Sequence, residues 1–304
     1  MDFFYRKKPW YAGQFVRKII PKNELTETAI LFFSTILNRQ KKRLLSVLVR
    51  NVDKTFLNLA IQLPVTAAGD INFAFMESLI RELEEERISE LDAYLKATGL
   101  NNYELTDEEH RILRQSEHWK WKKYSIGKLF KKIKVTTLKY KTRDLPSTPT
   151  KEYSLPALTA GIVNQGLNNY VPRNKATILK KVISISANGA NTGATFFQSK
   201  DFTVLQDAYA IKWNNEKEPL NDNQYIFLVS AISKAIYGNY EWTNKAGWER
   251  IKEDMIKLPT TSSGDIDLIS MSTYIRAIEK LVIRDVVSYA DTKIASTKQV
   301  VAKG

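Results

Sequence analysis

The chain has 304 residues, 43% hydrophobic and 26% charged; this globular composition leaves room for about two domains and excludes wholesale disorder and collagen-like or low-complexity architectures. It contains no cysteine and two histidines, which excludes disulfides, thiolate zinc sites, iron–sulfur clusters and cysteine nucleophiles and leaves little for a metal cage or a catalytic triad. Lys and Arg number 46 against 33 Asp and Glu, a formal net charge of +13, so an anionic partner is expected, nucleic acid first, because each neutralised phosphate releases condensed counterions.

Charge that only confers solubility is the competing reading, but the charge is segregated. About a dozen cations and only two acids, Glu117 and Asp144, lie between Arg111 and Lys151, whereas Glu77 to Asp92 is dominated by acids. No run approaches the roughly 18 apolar residues of a membrane-spanning helix, and the first 20 residues are basic and aromatic rather than signal-like. A soluble, cytoplasmic protein without a membrane partner is expected.

In chain order, residues 1–64 carry an apolar stretch of helical length, Ala29 to Leu37, and close on Ile61-Gln-Leu-Pro64. A Pro-containing strand exit, LPVTAAGD, leads into a long helix predicted over 72–98, with Gly69 and Asp70 supplying turn and N-cap chemistry. Met76, Ile80, Leu83, Ile88, Leu91 and Leu95 recur along it at helical spacing. Residues 101–116 read as a charged linker, with His110 and His118 solvated beside it. Residues 117–259 open with basic residues interleaved among Trp119, Trp121 and Tyr124, a strand pattern turning at Gly127. Val182 to Ser186 and Thr203 to Leu205 are further strands. Asn188 to Ala194 is a Gly/Asn-rich turn whose glycine spacing and missing Lys-Ser/Thr fit neither a Rossmann fingerprint nor a Walker A loop. Tyr240 and Trp242 read as core or domain-edge packing. A second strand exit, LPTTSSGD, precedes a helix predicted over 267–298, striped by Met271, Ile275, Ile278, Val282, Val286 and Tyr289.

The two strand exits belong to an internal repeat. Ile61, Leu63, Pro64, Thr66, Gly69, Asp70, Ile71, Met76, Ile80, Arg81, Glu84, Ile88 and Tyr94 reappear 195 positions later as Ile256, Leu258, Pro259, Thr261, Gly264, Asp265, Ile266, Met271, Ile275, Arg276, Glu279, Ile283 and Tyr289. The same register sets Ala29 to Leu37 over Gln224 to Ile232, and a shift of about two residues sets Phe3-Phe4 over Phe196-Phe197. The N-terminus therefore matches the middle of a unit, and the first copy lacks its front half. The expected fold is α+β, with a complete mixed α/β domain at 117–259, the distal part of another at 1–64, a linker at 101–116, and helical segments at 65–100 and 260–304. Two apolar stripes of similar length satisfy each other best as an antiparallel coiled coil; burial of each against its own domain is the alternative. At roughly 20 to 25 residues each helix rises about 30 to 37 Å, close to one turn of duplex DNA at about 34 to 36 Å, so the pair has the length of a spacer between two DNA contacts.

The phrases WKKYSIGKLF, LPALTAGIVNQGLNNYVPR and ISISANGANTGATFFQSKDFTVLQDAYAI, with IKLP before a long helix, resemble the DNA specificity (S) subunit of type I restriction-modification systems, in the form found in BcgI-like enzymes. The resemblance spans nearly the whole chain. It implies a target recognition domain at 117–259, a partial one at 1–64, and a helical spacer that docks methyltransferase (M) subunits through the two apolar stripes. It further implies bipartite recognition of double-stranded DNA, with a restriction (R) subunit or a homodimer as further partners. Full-length family members carry two complete recognition domains, so this chain departs as N-terminally truncated. No catalytic residue, metal ligand or cofactor is expected in the chain; AdoMet, ATP and Mg²⁺ are implied for partner subunits.

Amide and guanidinium groups make bidentate contacts with adenine or guanine, whereas lysines position the protein on phosphates. The expected readout residues are accordingly Asn168, Asn169, Tyr170, Arg173, Asn188, Asn191 and Gln198, and the expected phosphate contacts Lys122, Lys123, Lys175, Lys200 and Lys245. A stand-alone DNA-binding regulator, an antirestriction decoy and an inactive remnant stay open beside the specificity subunit, as does an autonomous enzyme.

Overall fold

The computed structural model describes residues 1–301, with side chains described through Ser296. The chain divides into two compact units, one of residues 1–102 and 284–304 and one of residues 103–283.

Among the described residues the first unit is helical. Its elements are α1 (Glu27–Arg39), α2 (Lys41–Leu45), α3 (Val52–Leu57), α4 (Phe73–Thr98) and the distal part of α9 (Leu268–Val301). The first 26 residues are irregular. α1 begins where the Thr26 side chain accepts from the Ala29 N–H, satisfying one of the donors that a helix start leaves orphaned. α1 packs along α4. Phe3 lies over Phe56 of α3, with ring centroids 5.9 Å apart, and its main chain exchanges two hydrogen bonds with the Asn38 side chain. Near its C-terminal end α9 meets α4 at Lys293 and Glu84, 3.8 Å apart.

The second unit contains three sheets. β1 (Trp121–Ser125) and β9 (Met255–Pro259) form an antiparallel ribbon; β2 (Phe130–Lys132), β8 (Ala208–Trp213), β5 (Val182–Ser186) and β6 (Thr195–Gln198) form an antiparallel sheet in that order; and β4 (Leu167–Val171), β3 (Leu155–Leu158) and β7 (Thr203–Val204) form a mixed sheet in which β3–β7 is parallel. The unit's helices are α5 (Asp107–Gln115), α6 (Ile126–Leu129), α7 (Asp222–Ile236), α8 (Trp248–Ile251) and the first part of α9. The main core joins Ile183, Ile185, Ile211 and Phe130 of the four-stranded sheet to Leu228, Ile232 and Ile236 of α7 and to Ile256 and Leu258 of β9. Every residue of β5 is buried, as a central strand covered on both faces requires. A separate core of Leu138, Leu145, Leu155, Val171 and Leu205 sits under the mixed sheet.

The repeat is visible in the hydrogen bonds. In the first copy Thr66 N–H donates to the Asp70 carbonyl at 2.7 Å, Gly69 N–H to Thr66 at 3.0 Å and Asn72 N–H to Pro64 at 2.8 Å; in the second, Thr261 donates to Asp265 at 2.9 Å, Gly264 to Thr261 at 3.0 Å and Asp267 to Pro259 at 3.0 Å. Gly69 and Gly264 stand at φ +89° and +88°, a left-handed conformation that glycine enters without steric cost. The bridges Val65–Ile71 and Thr260–Ile266 close the same loop. α1 and α7 also correspond. Thr26, the N-cap of α1, donates to Glu77 at 2.6 Å, and Asn221, the N-cap of α7, donates to Ser272 at 3.1 Å.

Three expectations need correction. The N-caps of the long helices are Asn72, which accepts from Phe75 N–H, and Asp267, which accepts from Ser270 N–H at 2.9 Å, two positions beyond Asp70 and Asp265, whose carbonyls belong to the turn. The apolar stripes also drift. Met76, Met271 and Ile275 are buried, and Ile80, Ile88, Leu91 and Ile278 are half-buried, but Leu83, Val282 and Val286 are exposed, while Val287 and Ala290 are buried instead. The expected residues on α9 recur at about 3.6 per turn and so share one face; Val282 lies on the face of Met271 and is nevertheless exposed, and burial passes to a different face at Val287 and Ala290.

The third correction concerns residues 101–116, which are not a free linker. α5 opens with a capping box in which Thr106 and Glu109 each accept the other's main-chain N–H, and the fully buried Glu109 carboxylate receives Arg276 at 2.7 Å and Lys280 at 2.9 Å. Burial pushes this carboxyl up, but the Thr106 amide, Lys280 and Arg276 outweigh it and hold the pKa at about 2. His110 and His118 are exposed, as expected.

Candidate nucleic-acid interface

The mixed sheet carries the richest set of groups suited to a polyanion. Its β3, β4 and β7 support a long loop over 134–151 that contains Lys134, Lys139, Lys141, Arg143 and Lys151, all exposed. Leu138 and Leu145 anchor this loop in the core below, and Thr136 is tied to the Thr177 hydroxyl by N–H and by Oγ1 at 2.9 and 3.1 Å. Among the described residues no acid pairs with Lys134, Lys139, Lys141 or Lys151, and Arg143 has only its neighbour Asp144, at 3.6 Å. Exposed cations fixed on an ordered loop and left without counter-charges suit phosphate contacts.

On the same sheet, the β3–β4 connection makes an exposed tip of Ile162, Val163, Asn164 and Gln165. Asn164 and Gln165 are successive non-glycine residues at φ +47° and +57°, followed by Gly166 at +85°. A Cβ at Gly166 would lie 2.7 Å from the Thr159 carbonyl oxygen. Residues held in this region cost roughly 1–3 kcal/mol each and persist where the surroundings over-determine them. The tip therefore presents two carboxamides and two apolar side chains in a fixed pose, the residue types that read base edges and wedge against base steps. The sequence reading passed over these four residues. Their only local signal is the glycine pair bracketing IVNQ.

Most of the expected readout side chains are already engaged. Asn169 is buried, and its amide donates to the Thr142 and Leu145 carbonyls at 3.1 and 3.2 Å, so it braces the basic loop from beneath instead of facing outward. Asn168 donates to Thr159 Oγ1 at 2.9 Å, Gln198 to Ser184 Oγ at 3.0 Å and Asn188 to Asp207 at 2.7 Å; Arg173 is ion-paired with Asp201. Tyr170 and Asn191 are half-buried. Apart from the Asn168–Thr159 bond within one hairpin, these pairings join separate segments, which residue type alone does not reveal. The expected phosphate contacts Lys122, Lys123, Lys175, Lys200 and Lys245 are all exposed. Lys175 borders the mixed sheet at its Arg173–Lys175 turn. Lys245 lies 5.9 Å over the ring of Trp242, which is exposed and so lies outside the core, one of the two placements expected for it. Tyr240 is half-buried and donates to Asp254 at 2.7 Å; burial, followed by that bond, pushes its pKa up to about 12.

A second basic surface lies on the β1–β9 ribbon. Lys123 faces Lys257 directly across the ladder, and like charges in that position repel. The four-stranded sheet has a similar facing pair, Lys131 and Lys212, but there Glu216 accepts from both at 3.1 Å and the two lysines hold its carboxyl below the usual range. Among the described residues no acid does this for Lys123 and Lys257, both of which are exposed. An open cleft of about 360 Å³ nearby in sequence is lined by Lys132, Lys245 and Arg250, with Thr243, Trp248 and Glu249. Among the described residues no cluster of three His, Asp or Glu is arranged to hold a metal ion, and no helix is long and apolar enough to cross a membrane.

Residues 1–93 and 119–288 match the family model of the type I restriction modification DNA specificity domain. The search of curated proteins gives no match. Among solved structures, the chain is similar to the type I restriction-modification system S subunit from M. genitalium, at 14% identity and a TM-score of 0.44 over 89% of this chain and 70% of that one. It is also similar to the HsdS subunit from Thermoanaerobacter tengcongensis, at 11% identity and a TM-score of 0.34 over 79% of this chain and 62% of the other. A chain from a study of complex assembly and conformational transition of the type I R-M system matches at 13% identity and a TM-score of 0.39, over 77% of this chain and 62% of that one.

Proposed function

Because the chain belongs to the type I restriction modification DNA specificity family, whose domain model matches both of its repeated regions, we propose that it directs methyltransferase (M) subunits, and through them a restriction (R) subunit, to a bipartite site in double-stranded DNA. The single observation that supports this reading best is the mixed sheet, whose strand β4 holds the cation-rich 134–151 loop through Asn169 and whose β3–β4 connection forms the strained tip Ile162–Gln165. Phosphates draw the loop onto the duplex and set its register, and the tip reads the bases or the shape between them. Methyl transfer and cleavage are assigned to the partner chains, with AdoMet, ATP and Mg²⁺ held there. This chain binds and positions. The exposed apolar residues on the long helices, Leu83 on α4 and Val282 and Val286 on α9, are offered as part of the surface that the M subunits cover.

Coexpression with a type I methyltransferase, followed by mapping of modified adenines, tests the reading. A two-part motif separated by a fixed gap is the expected result. Inserting one heptad into both α4 and α9 lengthens each by about 10 Å and is expected to widen the gap by about three base pairs at 3.4 Å per step. Uniform modification, or an unchanged gap, would refute bipartite spacing by the helices.

A further inference from the structure

The loop after α7 holds a tryptophan in a fixed place and leaves it in solvent. Both ends of the loop are tied down. Tyr240 donates to Asp254 at 2.7 Å. Ala246 is fully buried, its N–H donating to Thr192 Oγ1 at 2.9 Å and its carbonyl accepting from the Tyr209 hydroxyl at 2.9 Å. Between these ties Glu241 and Asn244 exchange main-chain hydrogen bonds at 3.0 and 3.1 Å, which closes a tight turn with Trp242 and Thr243 at its corner. Thr243 Oγ1 donates to Glu241 at 2.8 Å, and Arg250 of α8 donates to Asn244. Trp242 is nevertheless 67% exposed. A large aromatic side chain held this way is ordered before any ligand arrives, so binding to it loses little conformational freedom.

Thr243, at the corner of this turn, lines the open cleft of about 360 Å³ together with Lys132, Lys245, Arg250 and the half-buried Trp248. That volume lies at the small end of the roughly 300–1,000 Å³ that ligand sites occupy. The carboxylate in the lining, Glu249, is already met by Lys252 at 2.7 Å, and among the described residues no acid pairs with the three cations. Lys245 stands 5.9 Å over the Trp242 ring, so an aromatic surface and positive charge are presented side by side. A ligand complementary to both is flat, polarisable and anionic.

We propose that Trp242 and the adjoining cleft bind an unstacked nucleotide, its base lying on the indole and its phosphate groups meeting Lys132, Lys245 and Arg250. Stacking on an aromatic side chain needs an open π-face, which a nucleobase offers outside a duplex and hides within one. The cations alone serve a paired strand, whereas the indole selects an unpaired one. A free nucleotide and a nucleotide within a single strand present the same chemistry to the site. The inference does not rest on duplex reading by the mixed sheet, so either can fail while the other holds.

The test measures binding of the full chain to deoxyadenosine monophosphate, to a single-stranded oligothymidylate of about 10 nucleotides, a usual site size, and to a long blunt-ended duplex. Trp242→Ala is expected to weaken single-strand binding at least about fivefold, the loss of one stacked base, and to change duplex affinity by less than about twofold. Trp242→Phe keeps a ring and is expected to recover most of the lost affinity. Lys132→Gln combined with Lys245→Gln is expected to lower the single-strand slope of log K against log salt by up to about 1.4, at about 0.7 per neutralised phosphate. Mononucleotide binding that depends on Trp242 assigns the site to free nucleotides, and single-strand binding without it assigns the site to a nucleotide within a strand; both outcomes support the proposal. The proposal is overturned if neither ligand binds, or if Trp242→Ala leaves single-strand binding unchanged or weakens single strand and duplex alike. It is also overturned if Trp242→Phe falls as far as Trp242→Ala.

Discussion

The Glu109→Gln substitution removes the charge from a carboxylate that is fully buried, accepts the Thr106 N–H at 2.8 Å, and faces both Arg276 and Lys280. The gap between an ordinary 4.5 and about 2 corresponds to about 3 kcal/mol in favour of the folded carboxylate, and the half-exposed Arg276 guanidinium is partly screened by water, so 2 to 3 kcal/mol is the working range. Since the folded value lies below the unfolded one, this stabilisation is complete above about pH 5, fades as the pH falls through 4.5 toward 2, and is gone below both values. At pH 7 the variant also leaves Lys280, largely buried, without its carboxylate. Hydrogen exchange of the α5 amides, read as an opening free energy, is expected to drop by 2 to 3 kcal/mol in the variant at pH 7, and the two proteins are expected to converge toward pH 2. Equal α5 protection at pH 7 to within about 0.5 kcal/mol, or parallel pH profiles between 5 and 2, would refute the account of Glu109 as the anchor of residues 103–115.

Replacing Lys139, Lys141 and Arg143 together with Gln is expected to weaken duplex binding uniformly across sequences and to reduce the slope of log K against log salt by about 3, measured by fluorescence anisotropy; an unchanged slope would move the phosphate contacts elsewhere. Asn169→Ala removes two of the bonds that hold the 134–151 loop and should cost about 1 to 3 kcal/mol in urea unfolding, with a loss of DNA affinity that the exposed Asn168→Ala does not share. Gly166→Ala cannot keep φ +85° with the Thr159 oxygen 2.7 Å away, so the tip must rearrange; the mapped recognition motif is expected to change or blur while the circular-dichroism spectrum stays the same. Glu216→Gln frees the charges of Lys131 and Lys212 and is expected to steepen the salt dependence of non-specific DNA binding, an effect that a flat comparison with the parent chain would disprove.

The elements set by local chemistry were readable before any coordinates. The long helices α4 and α9, the strand at Val182 and the aromatic–basic strand ending near Gly127 all announce themselves through periodicity and punctuation, and the repeat through identities at one fixed offset. Boundaries failed where two candidates of equal chemistry stood close together. Asp70 and Asn72 are both good caps, and only the path of the turn decides that Asn72 does the work. The cluster of cations between Arg111 and Lys151 was legible in the sequence, although the loop residues Lys134, Lys139, Lys141 and Arg143 were not among the expected phosphate contacts. The pairing of the amides was not legible. Whether Asn169, Asn188, Gln198 or Arg173 is free depends on Leu145, Asp207, Ser184 and Asp201, partners that only tertiary folding brings near. The tip at Asn164 and Gln165 escaped for the opposite reason, since two consecutive left-handed non-glycine residues contradict the local preference of the chain.

The twice-used turn between strand exit and long helix has a consequence for how such a chain can change. Its hydrogen bonds, its left-handed glycine and its buried methionine, Met76 in one copy and Met271 in the other, are interchangeable parts. A genetic crossover anywhere within residues 61–76 and their counterparts at 256–271 joins one copy's upstream lobe to the other copy's helix without disturbing the junction. The lobe thus behaves as a cartridge, and new combinations can arise by exchange of whole segments, with no need for fresh mutations to repair the seam.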